Sequence, residues 1–316
     1  MFSEETVELV RQLLLHPKDA VYDFMLLLRE FHNRDQAAEA RLLRNFALSM
    51  PEDERIKYRD EIEFLKDCDS DYLAHSVFPY VLVRKGPAIE SGYDGAVKLP
   101  YVIHKGRRLY FCREDKEDEA RRKYEDYIVC EGLLGDGCLQ KSPHAYVTKE
   151  FFVEDGDNLI DVGCAEALFT LDNIEKVDKA YMFEAEEKWR APLRATFSPF
   201  DGKVRIVNKF VGNETRGNVV RLDDALPRDE AARYFIKMDI EGGEFDVLRE
   251  SANFLAGHKV KLACCLYHRQ DHEKRIVSFL RELKFDVQIS DGYMLPRMGG
   301  VVYPYFRRGM AYARNY

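Results

Sequence analysis

The chain has 316 residues, of which 46% are hydrophobic, so it is long enough to bury a full α/β core and still carry a second, smaller unit. A formal net charge of -8 at pH 7 argues against nucleic acid or an anionic membrane surface as a partner. The seven cysteines show no CxxC spacing and no apolar run reaches the length of a membrane span, which together predict a reduced, cytoplasmic protein.

Residues 1–90 are predicted to form an N-terminal helical unit. Val7, Val10 and Leu14 recur at helical spacing, and the segments EARLLRNFAL and RIKYRDEIEFL continue the pattern. The apolar stripes of these helices predict either core packing or a surface through which two copies form a homodimer.

Residues 91–316 are predicted to form the main domain. Residues 79–95 contain Gly-Pro and Ser-Gly pairs and are predicted to be a linker. A short hairpin near 99–112 follows, with Lys105-Gly106 as its turn, and then a charged helix over 114–132.

Strands and helices then alternate, which predicts a mostly parallel sheet with helices on both faces. Helices are expected to start near 168, 187, 223 and 244, with another over 272–284. The two closing strands have no crossover helix between them, so they predict an antiparallel edge. The predicted strands are 158–162, 180–184, 203–211, 234–240, 259–267, 285–290 and 309–314.

The most informative stretch is DVGCAEA, residues 161–167, in which a turn of small residues joins the first strand to a helix. Such turns bring the backbone close to a bound nucleotide or nucleoside. Glu184 ends the second strand, where an acid can accept both hydroxyls of a ribose. The alternative is that the small residues only allow the strand and helix to pack tightly.

Glu166 distinguishes between two classes of ligand. A carboxylate in the turn would repel the pyrophosphate of a dinucleotide, and the small residues do not follow GxGxxG spacing. S-adenosylmethionine has no phosphate and carries a sulfonium cation. The turn therefore favours S-adenosylmethionine over NAD.

A second chemical segment, IKMDIEGGEFDVL, places Asp239 and Glu241 after an apolar strand, at the sheet edge where α/β proteins bind ligands. With Glu244 they could bind a divalent cation or act as a base, although Glu244 is better explained as a helix cap. His268 follows the next strand and is the first candidate for a general base. The alternative role for His268 is hydrogen bonding to nearby backbone, and His144 is a weaker candidate for the base.

Residues 140–295 resemble the FkbM-type family of S-adenosylmethionine-dependent methyltransferases. The resemblance is carried by LIDVGCAEALFTL, YMFEAEEKW, VVRLDDAL, IKMDIEGGEFDVLRESANFL and LACCLYH, in this order. The segment IKMDIEGGE matches the K-x-D-x-E-G-x-E pattern of that family and is the most specific of them. Cys164, Ala165 and Ala167 stand where the family has a more glycine-rich turn.

The resemblance implies the class I methyltransferase fold, a Rossmann-like seven-stranded sheet of order 3-2-1-4-5-7-6 with its last strand antiparallel. It implies that S-adenosylmethionine is the cofactor and that Asp239 and Glu241 lie beside the methyl group and the acceptor. The residues that it places against the cofactor are Asp161, Gly163, Ala165, Glu184, Lys209, Phe210, Val211 and Asp239.

The sequence as a whole predicts an O-methyltransferase for a small molecule, sugar or glycan, with no metal and with His268, Asp239 and Glu241 as catalytic residues. One alternative is a catalytically weak or inactive binding protein with the same fold, which the alanines of the cofactor turn favour. The other alternative is an NAD-dependent oxidoreductase, which Glu166 disfavours.

Overall fold

The computed structural model of the protein describes residues 44–45, 47–67, 89–130, 142–227, 231–296 and 306–316. Most of the predicted N-terminal helical unit, and with it any dimer surface on those helices, lies outside the described residues. Within them, no helix is both long enough and apolar enough to span a bilayer.

A small antiparallel sheet opens the main domain, with strands β1 (Ser91–Asp94), β2 (Leu99–His104) and β3 (Arg107–Tyr110). The predicted hairpin near 99–112 is confirmed, and Lys105-Gly106 forms its turn with positive φ at both residues. The predicted linker was wrong for residues 91–94, because β1 pairs with β2. Ser91 and Gly92 gave this segment the composition of a turn, while the pairing partner lies outside the segment.

The remaining strands are β4 (Asn158–Val162), β5 (Lys179–Phe183), β6 (Val204–Val207), β7 (Phe210–Val211), β8 (Val219–Val220), β9 (Arg233–Met238), β10 (Lys259–Cys265), β11 (Asp286–Ile289) and β12 (Met310–Arg314). Seven of them form one sheet in the order β11-β12-β10-β9-β4-β5-β6. Only β12 runs antiparallel to its neighbours β10 and β11. The predicted order and the antiparallel last strand are therefore confirmed.

The strand predicted over 203–211 is divided into β6 and β7, and β7 pairs with β8 in a separate two-stranded ladder. β4, β9 and β10 lie in the middle of the large sheet and are almost continuously apolar, because helices cover both of their faces. Two clusters of buried hydrophobic residues lie on the two faces of this sheet.

The helices are α1 (Glu52–Arg55), α2 (Arg59–Asp67), α3 (Glu117–Cys130), α4 (Leu168–Asn173), α5 (Glu187–Phe197), α6 (Leu222–Ala225), α7 (Glu244–Glu250), α8 (Ala252–Gly257) and α9 (His272–Glu282). The predicted starts of α4, α5, α7 and α9 are confirmed, and α6 starts one residue early. α8 was not predicted, because the apolar pattern runs on from α7, which ends at Ser251 with non-helical backbone.

The described part of the N-terminal unit packs against the last segments of the chain. The ring of Tyr58 is stacked on Phe306 at 4.6 Å and meets Tyr293 edge-on at 4.7 Å. The buried carboxylate of Glu61 accepts a hydrogen bond of 2.9 Å from the backbone N–H of Tyr293. These contacts join α2 to the main domain, while a domain boundary at residue 90 stays a prediction.

Candidate active site

A cavity of about 930 Å³ lies at the carboxyl ends of β4, β5 and β9. Parallel strands in α/β proteins bind ligands at this edge, and the volume is within the range of small-molecule sites, about 300–1,000 Å³. The turn after β4 and Glu184 form one end of the cavity wall, and Asp239 lies on another part of the wall.

The turn after β4 is held in a backbone conformation that favours glycine. Gly163, Ala165 and Ala167 all have positive φ, at 74°, 47° and 61°. A Cβ atom on Gly163 would lie 2.0 Å from the backbone oxygen of Asp239, so only glycine fits where β4 approaches β9. The two alanines adopt the same left-handed region with a side chain, which costs about 1–2 kcal/mol per residue.

Glu184 is fixed at the wall of the cavity by two backbone groups. Its Oε2 atom accepts a hydrogen bond of 3.0 Å from the N–H of Ala165, and Oε1 accepts one of 2.8 Å from the N–H of Glu186. Each carboxylate oxygen retains a lone pair for another donor. The carboxylate is thus held in one orientation with acceptor capacity for a pair of hydroxyl groups.

Asp161 lies beneath the turn rather than on the cavity wall. It is fully buried, its Oδ2 accepts a hydrogen bond of 2.7 Å from Thr170, and its Oδ1 lies 3.2 Å from Lys237 Nζ. Lys237 also donates a 2.6 Å hydrogen bond to the carbonyl of Gly163. Asp161 therefore supports the turn through Lys237, and its predicted contact with the cofactor stays a prediction.

Glu166 is buried in the turn and borders the cavity. Burial raises the pKa of Glu166 to about 7, against the opposing effect of hydrogen bonds from backbone N–H groups and of the Lys237 charge. Burial therefore favours the neutral form of this carboxyl more than water does. This reduces the charge repulsion expected from Glu166 toward a pyrophosphate.

Lys209, Phe210 and Val211 line the cavity, and the ring of Phe210 is 58% exposed. Pairing of β7 with β8 holds this segment beside the end of β5. An exposed aromatic ring on a cavity wall offers a surface on which an adenine can stack. The structure places these three residues in the same cavity as Glu184, and their contact with the adenine stays a prediction.

Asp239 lies at the centre of a polar cluster on the cavity wall. Tyr146 donates a 2.7 Å hydrogen bond to its Oδ2, and His144 Nε2 lies 3.3 Å from the same oxygen. Tyr267 donates a longer bond of 3.5 Å to Oδ1. Burial opposes ionisation, but the hydrogen bond from His144 and the charge of His268 hold the pKa of Asp239 well below its usual range.

His144 is positioned by the packing of residues 142–146 against the start of β12. A Cβ atom on Gly309 would lie 1.8 Å from the carbonyl oxygen of Pro143, so this close approach requires glycine. Tyr312 donates a 2.6 Å hydrogen bond to the carbonyl of Ala145. The side chain of His144 is 12% exposed and lies on the cavity wall.

His268 is not among the described residues that line the cavity. Its side chain is 1% exposed, with Nδ1 2.6 Å from Glu244 Oε1 and Nε2 3.3 Å from Asp239 Oδ1. Glu241 Oε2 lies 3.5 Å from Nε2. Burial disfavours the charged ring, but the hydrogen bond to Glu244 and the charge of Asp239 outweigh it and raise the pKa of His268.

Glu241 and Glu244 have different environments although they are three residues apart. Glu241 has a positive φ of 56° and a side chain that is 78% exposed at the cavity. Glu244 is buried, and its Oε1 accepts hydrogen bonds from the N–H groups of Ile240 and Gly242. Glu244 therefore closes the turn before α7, but it does not cap the helix, because no side chain of the described residues bonds to the first N–H groups of α7.

Two groups of three side chains bring potential metal ligands within 4.8 Å of one another, and Asp239 belongs to both. One group contains His144 and Cys265, and the other contains Glu244 and His268. Burial raises the pKa of Cys265 well above its usual value, so its thiol stays protonated, whereas a metal binds the thiolate. The oxygens of Asp239 already accept hydrogen bonds, which leaves little capacity for a cation.

The part of the chain that forms most of the cavity is similar to one known protein family. Residues 139–287 match the model of the methyltransferase FkbM domain. The match confirms the predicted resemblance to this methyltransferase family for that part of the chain.

Solved structures similar to the chain include an FkbM methyltransferase from Methylobacillus flagellatus KT, with 18% identity and a TM-score of 0.43 over 59% of this chain and 54% of that one. The chain thus spans about half the length of that methyltransferase. A putative methyltransferase from Streptococcus mutans in complex with SAH is 13% identical, with a TM-score of 0.36 over 51% of this chain and 90% of that one. No curated protein matches the chain.

Three residues of the cavity wall were not predicted as site residues from the sequence. They are Tyr146, Lys237 and Tyr267. Lys237 is in the apolar strand β9 and Tyr267 closely follows the apolar strand β10, so both resemble packing residues. Tyr146 precedes the first sheet strand by twelve residues, and only the fold brings it to Asp239.

Proposed function

We propose that the chain is an S-adenosylmethionine-dependent O-methyltransferase acting on a hydroxyl of a small molecule, sugar or glycan. The observation that supports it best is that one cavity joins a nucleoside-type wall to a proton-accepting cluster. Glu184 and Phe210 form the first part, and Asp239, His144 and Tyr267 form the second.

The charges of the cavity agree with a cationic donor and an acceptor without phosphate. Its wall has more acids than bases. The acids are Glu166, Glu184, Glu186, Asp239, Glu241, Asp246 and Glu250, and the bases are Lys188, Lys209, Lys237 and Arg249. Lys237 and Arg249 are paired with Asp161 and Glu250. An acidic cavity attracts a sulfonium and repels the phosphates of a nucleic acid.

In this proposal the residues of the chain bind the cofactor, align the acceptor hydroxyl and remove its proton. Glu184 accepts the ribose hydroxyls, Phe210 stacks on the adenine, and the turn at Gly163 admits the methionine part. S-adenosylmethionine supplies a methyl group that is already activated on a sulfonium. Most of the rate enhancement would then come from holding the acceptor hydroxyl in line with that methyl group, beside Asp239.

The proposal is tested by incubating the full chain with methyl-tritiated S-adenosylmethionine and a panel of alcohols, catechols and sugars, each paired with its deoxy analogue. We expect label in a hydroxyl compound and none in its deoxy partner. Asp239→Asn should lower the rate by about 10²–10⁴-fold, because the proton removed from the hydroxyl would lose the carboxylate that stabilises it in the cluster. Label in amines alone would contradict the hydroxyl acceptor.

A second candidate function is a binding protein with the FkbM fold and little turnover. The observation that favours it is the strained turn, where Ala165 and Ala167 have positive φ. Binding of S-adenosylhomocysteine without label in any acceptor of the panel would support this candidate over the enzyme.

A further inference from the structure

We propose that His144 is the residue that accepts the proton of the acceptor hydroxyl, and that His268 is a positioning residue that holds Asp239 as a carboxylate. This inference rests on the proposed function. It assigns different roles to two histidines that lie on opposite sides of the same carboxylate, since His144 is near Oδ2 and His268 is near Oδ1 of Asp239.

The two histidines differ in their access to the cavity. A general base must reach the proton that it removes, either directly or through one water molecule. His144 lies on the cavity wall, whereas the His268 side chain is 1% exposed and behind it. Asp239 and Tyr267 both contact the His268 ring and both line the wall, whereas His268 itself does not line it.

The surroundings of the His268 ring favour its protonated form. A base must hold a free lone pair, and both nitrogens of His268 face carboxylates. Nδ1 lies 2.6 Å from Glu244, and Nε2 lies 3.3 Å from Asp239 and 3.5 Å from Glu241. An imidazolium places its positive charge within ion-pair distance of all three acids. Arg307 donates to the backbone carbonyl of His268, so its positive charge opposes that of the ring, but the three carboxylates lie within 3.5 Å of the ring nitrogens.

The ring of His144 is surrounded by neutral groups and one carboxylate. Its Nε2 lies 3.4 Å from the hydroxyls of Tyr146 and Tyr267, 3.7 Å from Cys265 Sγ and 3.3 Å from Asp239. Asp239 is the only carboxylate within ion-pair distance of His144 among the described residues. Burial raises the pKa of Tyr267 and of Cys265, so both neighbours stay neutral. A proton arriving on His144 would therefore be stabilised by one adjacent carboxylate.

In the transfer, the acceptor oxygen forms the new O–C bond with one of its lone pairs. The C–S bond of the sulfonium breaks, and its electron pair stays on sulfur. The hydroxyl proton passes to Nδ1 of His144, because Nε2 already donates its hydrogen to Asp239, and the lone pair of Nδ1 forms the new N–H bond. The products are a methyl ether, a neutral thioether and an imidazolium beside Asp239, so charge and protons balance.

The role of His268 can be tested without any acceptor. The full chain labelled with ¹⁵N-histidine is bound to S-adenosylhomocysteine, and its ring signals are assigned with His144→Gln and His268→Gln. We expect both ring nitrogens of His268 to be protonated at pH 8. A neutral His268 at pH 8 would overturn the assignment, because the ring could then act as a base.

The role of His144 is tested with a hydroxyl compound from the labelling panel. His144→Gln should lower kcat by about 10²–10⁴-fold and remove the limb of the pH profile that reports the base, while binding of S-adenosylhomocysteine changes less than threefold. His268→Gln should lower kcat but keep that limb. His258→Gln, which replaces a histidine outside the cavity, is the matched control and should behave as wild type.

Retention of the limb in His144→Gln, or its loss in His268→Gln alone, would overturn the proposal. These results differ from failure of the proposed function, in which wild-type protein labels no hydroxyl compound at all. The ¹⁵N experiment would still report the protonation of His268 in that case. His144→Gln that binds S-adenosylhomocysteine as wild type also shows that the variant is folded.

Discussion

Replacement of Glu184 tests the nucleoside end of the cavity. In the structure the carboxylate is already oriented by the N–H groups of Ala165 and Glu186, at 3.0 and 2.8 Å. Loss of its hydrogen bonds to the ribose should therefore remove a preformed, charged acceptor. A hydrogen bond to a charged group contributes about 1.5–3 kcal/mol. Loosening of the turn can raise or lower the measured loss of binding free energy slightly. We expect Glu184→Ala to weaken binding by about 1–3 kcal/mol.

Since 1.4 kcal/mol corresponds to a factor of ten, the dissociation constant should rise by roughly 5- to 150-fold. The measurement is calorimetric titration of the full chain with S-adenosylhomocysteine. Glu187→Gln is the matched control, because Glu187 is 78% exposed in the same region and is not part of the described cavity wall. Equal affinity of Glu184→Ala and wild type would remove Glu184 from the ribose site.

Gly163→Ala should destabilise the fold by about 2–5 kcal/mol in urea unfolding, because the new Cβ meets the Asp239 carbonyl at a positive φ; unchanged stability would show that the turn can relax. Tyr58→Ala should cost about 3 kcal/mol, since it empties a buried site between Tyr293 and Phe306, and a loss below about 0.5 kcal/mol would mean that α2 is an independent appendage. His268→Gln should cost more stability at pH 6 than at pH 9. Folding raises the pKa of His268, so its contribution is full below the unfolded value of about 6.5 and is lost as pH rises through the folded value. An equal cost at both pH values would show that the ring is not charged in the folded protein.

The sheet could be predicted from the sequence because its strands are apolar runs with clear ends. β4 and β9 are buried on both faces, and the helices after them start where small residues and acids follow the strand. β1 could not be predicted, because Ser91 and Gly92 favour a turn locally and form a strand only by pairing with Tyr101 and Val102.

The candidate site was predicted in part. Position at the end of an apolar strand led to Asp239 and Glu184, and both residues line the cavity. The sequence could not show that His268 is buried beside Asp239. Position at the end of a strand does not determine whether a side chain lines the cavity or is buried beneath its wall. Nor could the sequence show that His144 reaches Asp239 from 95 positions earlier in the chain, since that contact depends on packing against Gly309.

The most direct test of the central claim is a pair of titrations of the full chain, one with S-adenosylhomocysteine and one with NAD. The account predicts saturable binding of S-adenosylhomocysteine, weakened in Glu184→Ala, and no binding isotherm with NAD at the same concentrations. Binding of NAD with no binding of S-adenosylhomocysteine would contradict it, because the turn after β4 would then hold a dinucleotide and not a methyl donor.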